Sequence, residues 1–279
     1  MRRALFLATP TDHPNGNDNH IRIPQALAQS GWLVELVRHE QVYIAENAVL
    51  AAGDALEVYD LVWPIGFGPA SSWLDLSQHL MRLPQDKLIS PVAALTHLHA
   101  KSAWTEYGPL SAVSADAEVL KSFMQVHGGQ WVLKPNAGSF GEGVKLINAD
   151  DDLPELGQGH WMVQRFVEQI REGEIRTLLA DGEIIGSYLR VPEEGEFRAN
   201  LAQEANATAV ELNAEQASLV QRVGDYLHKA KVGFAAVDIC ADYVIEVNVA
   251  NPGGLATLND LYDESAESKL VQIVAKRFS

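Results

Sequence analysis

Short apolar runs, separated by polar stretches marked with glycine and proline, divide the chain into alternating predicted strands and helices. Residues 4 to 8 predict a strand and Thr9 to His20 a polar loop. Ile21 to Ser30 then predicts a helix stopped at Gly31, and Trp32 to Val37 a second strand, completing a βαβ unit. The loop after the first strand lies at the carboxyl edge of such a sheet, where open α/β folds place ligands. Asp12, His13 and His20 are therefore candidate ligand contacts, with solvated loop side chains as the plainer reading. Tyr59 to Pro64 predicts another strand, Ile65 to Ser72 a loop and Ser72 to Leu83 a helix. Pro91 opens a helix that continues through Leu95, Leu98 and Trp104 and carries Lys101. Ser114 to Val126 is amphipathic, opened by Ser114, with Asp116 and Glu118 in its first turn where they suit the helix dipole.

Trp131 to Ile147 reads as a strand ending at Lys134, a loop with Gly138, Gly141 and Gly143, and a returning strand from Val144. Glycines let backbone amides approach phosphate oxygens, and a lysine at the strand end adds a charge at the same place. A strand follows the loop, so it is neither a Walker loop nor a Rossmann turn; a flexible hairpin is the alternative. Trp161 to Val167 and Gly173 to Leu179 predict strands, the latter carrying Arg176, and Gly182 turns the chain into Glu183 to Arg190. The polar stretch Pro192 to Thr208 predicts a loop long enough to be a lid. Glu211 to Lys231 predicts a long helix with Asn213 as cap, and Asp263 to Phe278 a closing helix. Between them, Gly233 to Gly254 predicts a hairpin of buried strands turning at Ala241-Asp242. Three metal-competent side chains interrupt it: Asp238, Glu246 and Asn248. Glu246 and Asn248 share one strand face, and the turn brings Asp238 across from Glu246. Oxygen donors so placed suit magnesium bridging nucleotide phosphates, and unrelated acids on a solvated edge are the alternative.

Composition narrows the function classes. A formal net charge of −16 over 279 residues argues against nucleic acid or an anionic membrane as partner and favours small solutes. The single cysteine, Cys240, excludes an intramolecular disulfide, fits a reducing cytoplasm and reads as a small buried hydrophobe. The N-terminal apolar run ends at Pro10, too short for a signal peptide, and nothing later approaches a membrane span, so a cytoplasmic location is expected.

Taken together, Lys101, the Lys134 loop, Arg176 and the acidic hairpin resemble the ATP-grasp superfamily, and within it bacterial glutathione synthetase, over nearly the whole chain. The resemblance rests on Leu133-Lys-Pro with its glycine loop, Met162-Val-Gln-Arg-Phe, Gly173-Glu-Ile-Arg176 and Arg190-Val-Pro with Arg198-Ala-Asn-Leu201. It is completed by Asp238 with Glu246-Val-Asn-Val. It implies an α/β chain of α+β lobes: an N-terminal βαβ lobe over 1–86, a central lobe over 87–165 and a catalytic lobe over 166–279, the last two clasping ATP. By the same resemblance Lys101 and Lys134 hold phosphates, with the loop Gly138, Ser139, Phe140, Gly141 and Gly143 over them. Gln164, Arg165, Phe166 and Val167 line adenine, and Glu174 lies near the ribose. Asp238, Glu246 and Asn248 hold two magnesium ions, and Arg176 steadies the transferring phosphoryl group. Arg190, Arg198 and Asn200 bind the carboxylate-bearing acceptor.

The chain departs from the family pattern near acceptor and amine binding. After the metal asparagine stands Asn251-Pro-Gly-Gly-Leu-Ala256, without the family's arginine, and Asn251, Gly253 and Gly254 become substrate candidates. Ala202-Gln-Glu-Ala-Asn206 and Trp63-Pro-Ile-Gly66 also lack expected residues. The implied activity is ATP-dependent joining of a carboxylate to an amine through an acyl phosphate, on an amino acid or γ-glutamyl-type peptide. A phosphotransferase with a stable phosphorylated product and a non-catalytic nucleotide-binding module are the alternatives. Oligomeric state stays open, with a homo-oligomer among the options.

Overall fold

The computed structural model describes residues 1–9, 17–138, 143–192 and 206–278. Asp12, His13, Ser139, Phe140, Gly141, Arg198 and Asn200 lie outside them, as does 193–205, most of the stretch expected to form a lid.

The N-terminal part contains the expected βαβ unit, β1 (Arg3–Ala8), α1 (Asn19–Gln29) and β2 (Leu33–Val37). A small antiparallel sheet that the apolar pattern does not predict follows: β3 (Tyr43–Ala45), β4 (Ala48–Ala51) and β5 (Asp54–Ala55). Its strands are two to four residues long, too short to show alternation. Its turns use Glu46-Asn47 and Ala52-Gly53, all at positive φ, and in each only the second residue is a habitual turn former. β6 (Leu61–Ile65) then pairs with β1 in parallel, giving the order β2-β1-β6, and α2 (Trp73–Leu80) and α3 (Val92–Leu98) follow. The helix expected to run from Pro91 through Trp104 breaks after Leu98. Ala100 is extended, and Lys101 opens a separate 3-10 turn, Lys101–Trp104.

The central part is a four-stranded antiparallel sheet, β7 (Ser111–Ser114), β8 (Gln130–Pro135), β9 (Lys145–Asn148) and β10 (Trp161–Arg165), in the order β7-β10-β8-β9. Ser114 ends β7 instead of opening a helix. α4 (Ala117–His127) is capped by Asp116, whose side chain accepts from the Glu118 amide. Strand periodicity gives this sheet two characters. Trp131, Leu133, Ile147 and Val163 pack with Leu120 and Met124 of α4, while Lys134 and Gln164 meet on the other face.

The C-terminal part has β11 (Glu174–Ala180), β12 (Glu183–Val191), β13 (Asn206–Ala209), α5 (Ala214–Lys229), β14 (Phe234–Cys240), β15 (Tyr243–Asn248), α6 (Leu255–Tyr262) and α7 (Ala266–Arg277). Its sheet runs β13-β12-β11-β14-β15, all antiparallel. β13 belongs to the expected loop: Asn206–Ala209 pairs with Tyr188–Val191, although its polar residues carry no strand pattern. The closing helix is preceded by a second one, α6, after the Gly253-Gly254 pair. α5 is capped by Asn213 in a reciprocal box with Gln216 and covers one sheet face through Leu219, Val220, Val223 and Leu227. On the opposite face, Leu178, Ala180, Tyr188, Phe234 and Ala236 share one core with Phe6, Ile23, Leu27 and Trp63 of the βαβ unit and with α6 and α7. The N-terminal part is thereby seated on the C-terminal sheet. None of the helices is long and apolar enough to cross a membrane, among the described residues.

Candidate active site at the charged end of the C-terminal sheet

The sheet face that is apolar at Leu178, Ala180 and Ala236 turns charged two to four residues along each strand. Register aligns Arg190 with Glu174, Arg176 with Asp238 and Asp238 with Glu246, and Asn248 stands opposite Ala236. A row of six polar side chains therefore crosses four strands. Its inner half is paired tightly. Arg176 donates two hydrogen bonds to Asp238, Nε to Oδ1 at 2.8 Å and Nη2 to Oδ2 at 2.7 Å. Arg190 Nη2 lies 3.0 Å from Asp238 Oδ2 and also donates to Glu174. These are charge-assisted contacts in a dry site, where each partner compensates the desolvation of the other.

The electrostatics follow from that pairing. Burial alone would raise the Asp238 pKa, but the Arg176 and Arg190 guanidiniums outweigh it and hold the carboxyl below the usual carboxylate range. Burial pushes Glu174 up to about 7 against the pull of Arg190. Burial likewise pushes the Lys134 ammonium down to about 8, with Glu246 acting the other way and Lys101 reinforcing the fall.

The two lysines of the central part reach this row. Lys101 Nζ lies 3.1 Å from Glu246 Oε1 and donates to the Gly138 carbonyl at 2.8 Å. Lys134 Nζ donates to Gln164 Oε1 at 2.9 Å and to the Ile245 carbonyl on β15 at 3.3 Å. Arg176, Glu174, Arg190, Lys101, Lys134, Gly138, Gln164, Asp238, Glu246 and Asn248 are thus brought together. Gly143 lies against Pro135 and Trp161 where the glycine loop ends, and Phe166 is buried beside Ile170 and Cys240 with Val167 packed on them. The Arg165 side chain points elsewhere: it stacks 4.2 Å from the Trp131 ring and donates to the His127 and Gly128 carbonyls. Arg190 sits at 4% exposure with its Nη2 between two carboxylates, while its buried Nε has no hydrogen-bond partner among the described residues.

The donor set fits magnesium in chemistry: two carboxylates and one amide, oxygen only, which suits a hard cation that keeps waters and takes phosphate oxygens as further ligands. Glu246 is half-exposed and Asn248 follows on the same face, whereas both Asp238 oxygens are engaged by guanidiniums. No group of three or more His, Cys, Asp or Glu side chains that could hold a metal is found among the described residues.

Asn251, Gly253 and Gly254 follow β15. Arg176 Nη1 donates to the Gly253 carbonyl at 3.4 Å. Gly254 opens α6 at φ +127°, and a Cβ there would lie 2.6 Å from the Tyr188 hydroxyl, so only glycine fits. Two groups here were missed from sequence. Tyr188 is fully buried with its hydroxyl unpartnered, and Asn17 and Asn19 bind the Asn251 loop from the N-terminal part. The polar run Asn15 to Asn19 was visible, but its partner 232 residues away was not.

Residues 98–263 match the model of the prokaryotic glutathione synthetase ATP-grasp domain. Glutathione synthetase of Prochlorococcus marinus subsp. pastoris is 25% identical over 87% of this chain and 81% of its own length. That of Synechocystis sp. is 30% identical over 61% of this chain, and the match spans 55% of the relative. The crystal structure of the D-cycloserine synthetase DcsG superposes with a TM-score of 0.73 at 14% identity, covering 100% of both chains, a likeness of fold. With more than half of its length matched, the chain belongs to the prokaryotic glutathione synthetase family of ATP-grasp proteins.

Proposed function

We propose that this protein is an ATP-dependent ligase that joins a carboxylate to an amine through an acyl phosphate. One observation carries the reading: two lysines of the central part, Lys101 and Lys134, touch the strand that bears Glu246 and Asn248. The proposed phosphate-binding cations and metal-competent oxygens then meet where the central part (87–165) touches the C-terminal part (166–279), with 1–86 packed on the C-terminal sheet.

In this reading Lys101 and Lys134 bind the nucleotide phosphates, and Gly138 and Gly143 frame the loop whose Ser139, Phe140 and Gly141 are assigned to the same phosphates. The strand end Gln164 to Val167 lies along adenine, and Glu174 near the ribose. Glu246 and Asn248, with Asp238 behind them, would hold magnesium, two ions being expected. Bound magnesium neutralises charge on the phosphate oxygens, as phosphoryl transfer requires. A carboxylate oxygen of the first substrate attacks the γ-phosphorus and ADP leaves. The amine then attacks the acyl carbon, phosphate departs, the nitrogen gives up its proton, and an amide remains. Arg176, held rigid by Asp238, meets the charge that develops on the transferring phosphoryl group and on the later oxyanion. Arg198, Asn200 and the Gly253-Gly254 backbone are assigned to the acceptor, an amino acid or γ-glutamyl-type peptide. Arg190 serves by holding Glu174 and Asp238.

A coupled ADP-release screen over paired amino acids and γ-glutamyl peptides, including γ-glutamylcysteine with glycine, tests this. ADP and phosphate are expected only when both a carboxylate and an amine are present. Stoichiometric ADP with a stable phosphorylated product and no amine requirement would refute it.

A further inference from the structure

The loop that follows the metal-competent strand is held by the opposite end of the chain. Asn17 Nδ2 donates to the Asn251 carbonyl at 3.0 Å and to Asn251 Oδ1 at 3.1 Å. Asn19 Nδ2 donates to the same Oδ1 at 2.8 Å and to the Pro252 carbonyl at 2.9 Å. The Asn19 amide donates to Asn17 Oδ1 at 3.0 Å, orienting the first asparagine for the second. A further strap joins the Gly66 amide to the Ala250 carbonyl at 3.0 Å.

The amide orientations admit one assignment. Asn19 faces the Pro252 carbonyl, which only accepts, so that atom is the NH2 group and the Asn251 atom bonded to it is oxygen. Asn17 faces the Asn251 carbonyl and is a donor by the same logic. Asn251 therefore accepts twice through one side-chain oxygen. Asn19 is 1% exposed, so losing its partner would strand a buried donor.

The held loop is coupled to the site. Asn248 Oδ1 accepts from the Ala250 amide at 3.2 Å and the Asn251 amide at 3.3 Å, so where the loop sits decides where the Asn248 side chain points. Two residues further on, the Gly253 carbonyl meets Arg176.

We infer that Asn17 and Asn19 are positioning residues which, through the side-chain oxygen of Asn251, fix the loop Val249 to Gly254 and with it the side chain of Asn248, the proposed metal ligand whose oxygen accepts from two amides of that loop. This rests on the ligase reading for its purpose, though not for its test. It reassigns Asn251 from touching substrate to holding the loop, and makes the N-terminal part a component of the site. Outer partners of this kind typically change metal affinity by about 10- to 100-fold when removed.

The test compares the full chain with Asn19→Ala, Asn251→Leu and Asn251→Asp. Asp keeps the accepting oxygen and lacks the NH2 group. Two readouts are taken: hydrogen exchange of backbone amides in 249–254 without ligand, and ADP affinity by calorimetry with and without magnesium. In N19A and N251L, exchange is expected to accelerate and the magnesium-dependent gain in ADP affinity to fall at least about tenfold. Metal-free ADP affinity should hold. N251D should stay within about threefold of the parent on both readouts, a difference under about 1 kcal/mol. N251D behaving like N251L while exchange stays at the parent rate would overturn the inference, because Asn251 would then act through its NH2 group on ligand. Unchanged exchange and metal dependence in N19A and N251L would overturn it as well. Should N19A fail to fold, the N251D and N251L pair carries the same decision. A chain that passes these tests yet makes no amide from any pair would sink the ligase reading alone.

Discussion

Asp238→Asn separates the structural and metal roles of the acidic row. The carboxylate is 2% exposed and takes two bonds from Arg176 and one close contact from Arg190, whose other partner is Glu174. Above about pH 7, where Glu174 is ionised, two buried cations thus balance two buried anions, and the substitution leaves one positive charge uncompensated. Removing one member of a buried pair costs about 3–5 kcal/mol; Asn keeps one accepting oxygen, so the lower end, about 3 kcal/mol, is expected. The melting temperature should fall by roughly 6–12 °C. Urea unfolding of both proteins across a pH series measures the difference. The folded pKa of Asp238 is depressed, so its contribution is complete above the unfolded value near 4 and disappears as pH falls through the folded value. The gap between the parent and D238N should narrow below about pH 4, and it should also shrink as pH rises from about 5 to 8, because Glu174, raised to about 7 in the parent, loses the like charge of Asp238 in D238N. Glu246→Gln is the control: its half-exposed pair with Lys101 is worth under about 1 kcal/mol, yet its loss should remove metal-dependent nucleotide binding. A D238N gap under about 1 kcal/mol at pH 7, or one equal to that of E246Q, would refute the buried-network account.

Three further outcomes follow from the same geometry. Lys134 carries a charge that burial disfavours, so unfolding binds protons and stability should rise between about pH 8 and pH 10 in the parent but not in Lys134→Met. K134M should also be more stable at pH 7 by about 1–2 kcal/mol, since the orphaned Gln164 amide offsets part of the gain, while ADP affinity falls at least tenfold by calorimetry. The Cys240 thiol is buried and pushed up to about 12, so a disulfide-exchange reagent at pH 8 should label it only after denaturation. Gly254→Ala should cost at least about 2 kcal/mol in urea melts, from the Tyr188 hydroxyl and the positive φ together; adding Tyr188→Phe should recover the steric share.

What could be read from the sequence depended on how local its cause was. The hairpin β14–β15 was visible because its apolar runs, its turn and its three oxygen donors lie within twenty residues, but a regular ladder from that turn would pair Asp238 with Ile245, and the β-bulge between Asp238 and Ile239 is what sets Asp238 opposite Glu246. Lys134 near the end of β8 was visible for the same reason. Helix boundaries failed where local signals competed. Pro91 suits a helix start, but nothing in His97 to Ala100 announces the break that turns Lys101 toward Gly138 and Glu246. β13 failed because an edge strand of Asn-Ala-Thr-Ala has no apolar period, and its strand character comes from pairing with Tyr188–Val191.

Arg190 shows why residue type and place do not decide a role. Its position after an apolar strand and before a polar loop suits a substrate-binding cation, and so does the family resemblance. Yet β12 pairs with β11 in a register that puts Arg190 beside Glu174, one strand away from Asp238. In that register a free guanidinium would leave two buried carboxylates with only Arg176 to balance them, at a cost larger than a single substrate contact returns. The carboxylates that support a holding role over the expected substrate contact sit sixteen residues away for Glu174 and forty-eight for Asp238, and only the closed sheet brings them to Arg190. Asn251 repeats the case over a longer distance. The family's arginine is absent there, and the side chain that stands near it is engaged by two asparagines from the first helix and its approach, whose spacing of two residues has no meaning until α1 is seated on the C-terminal sheet.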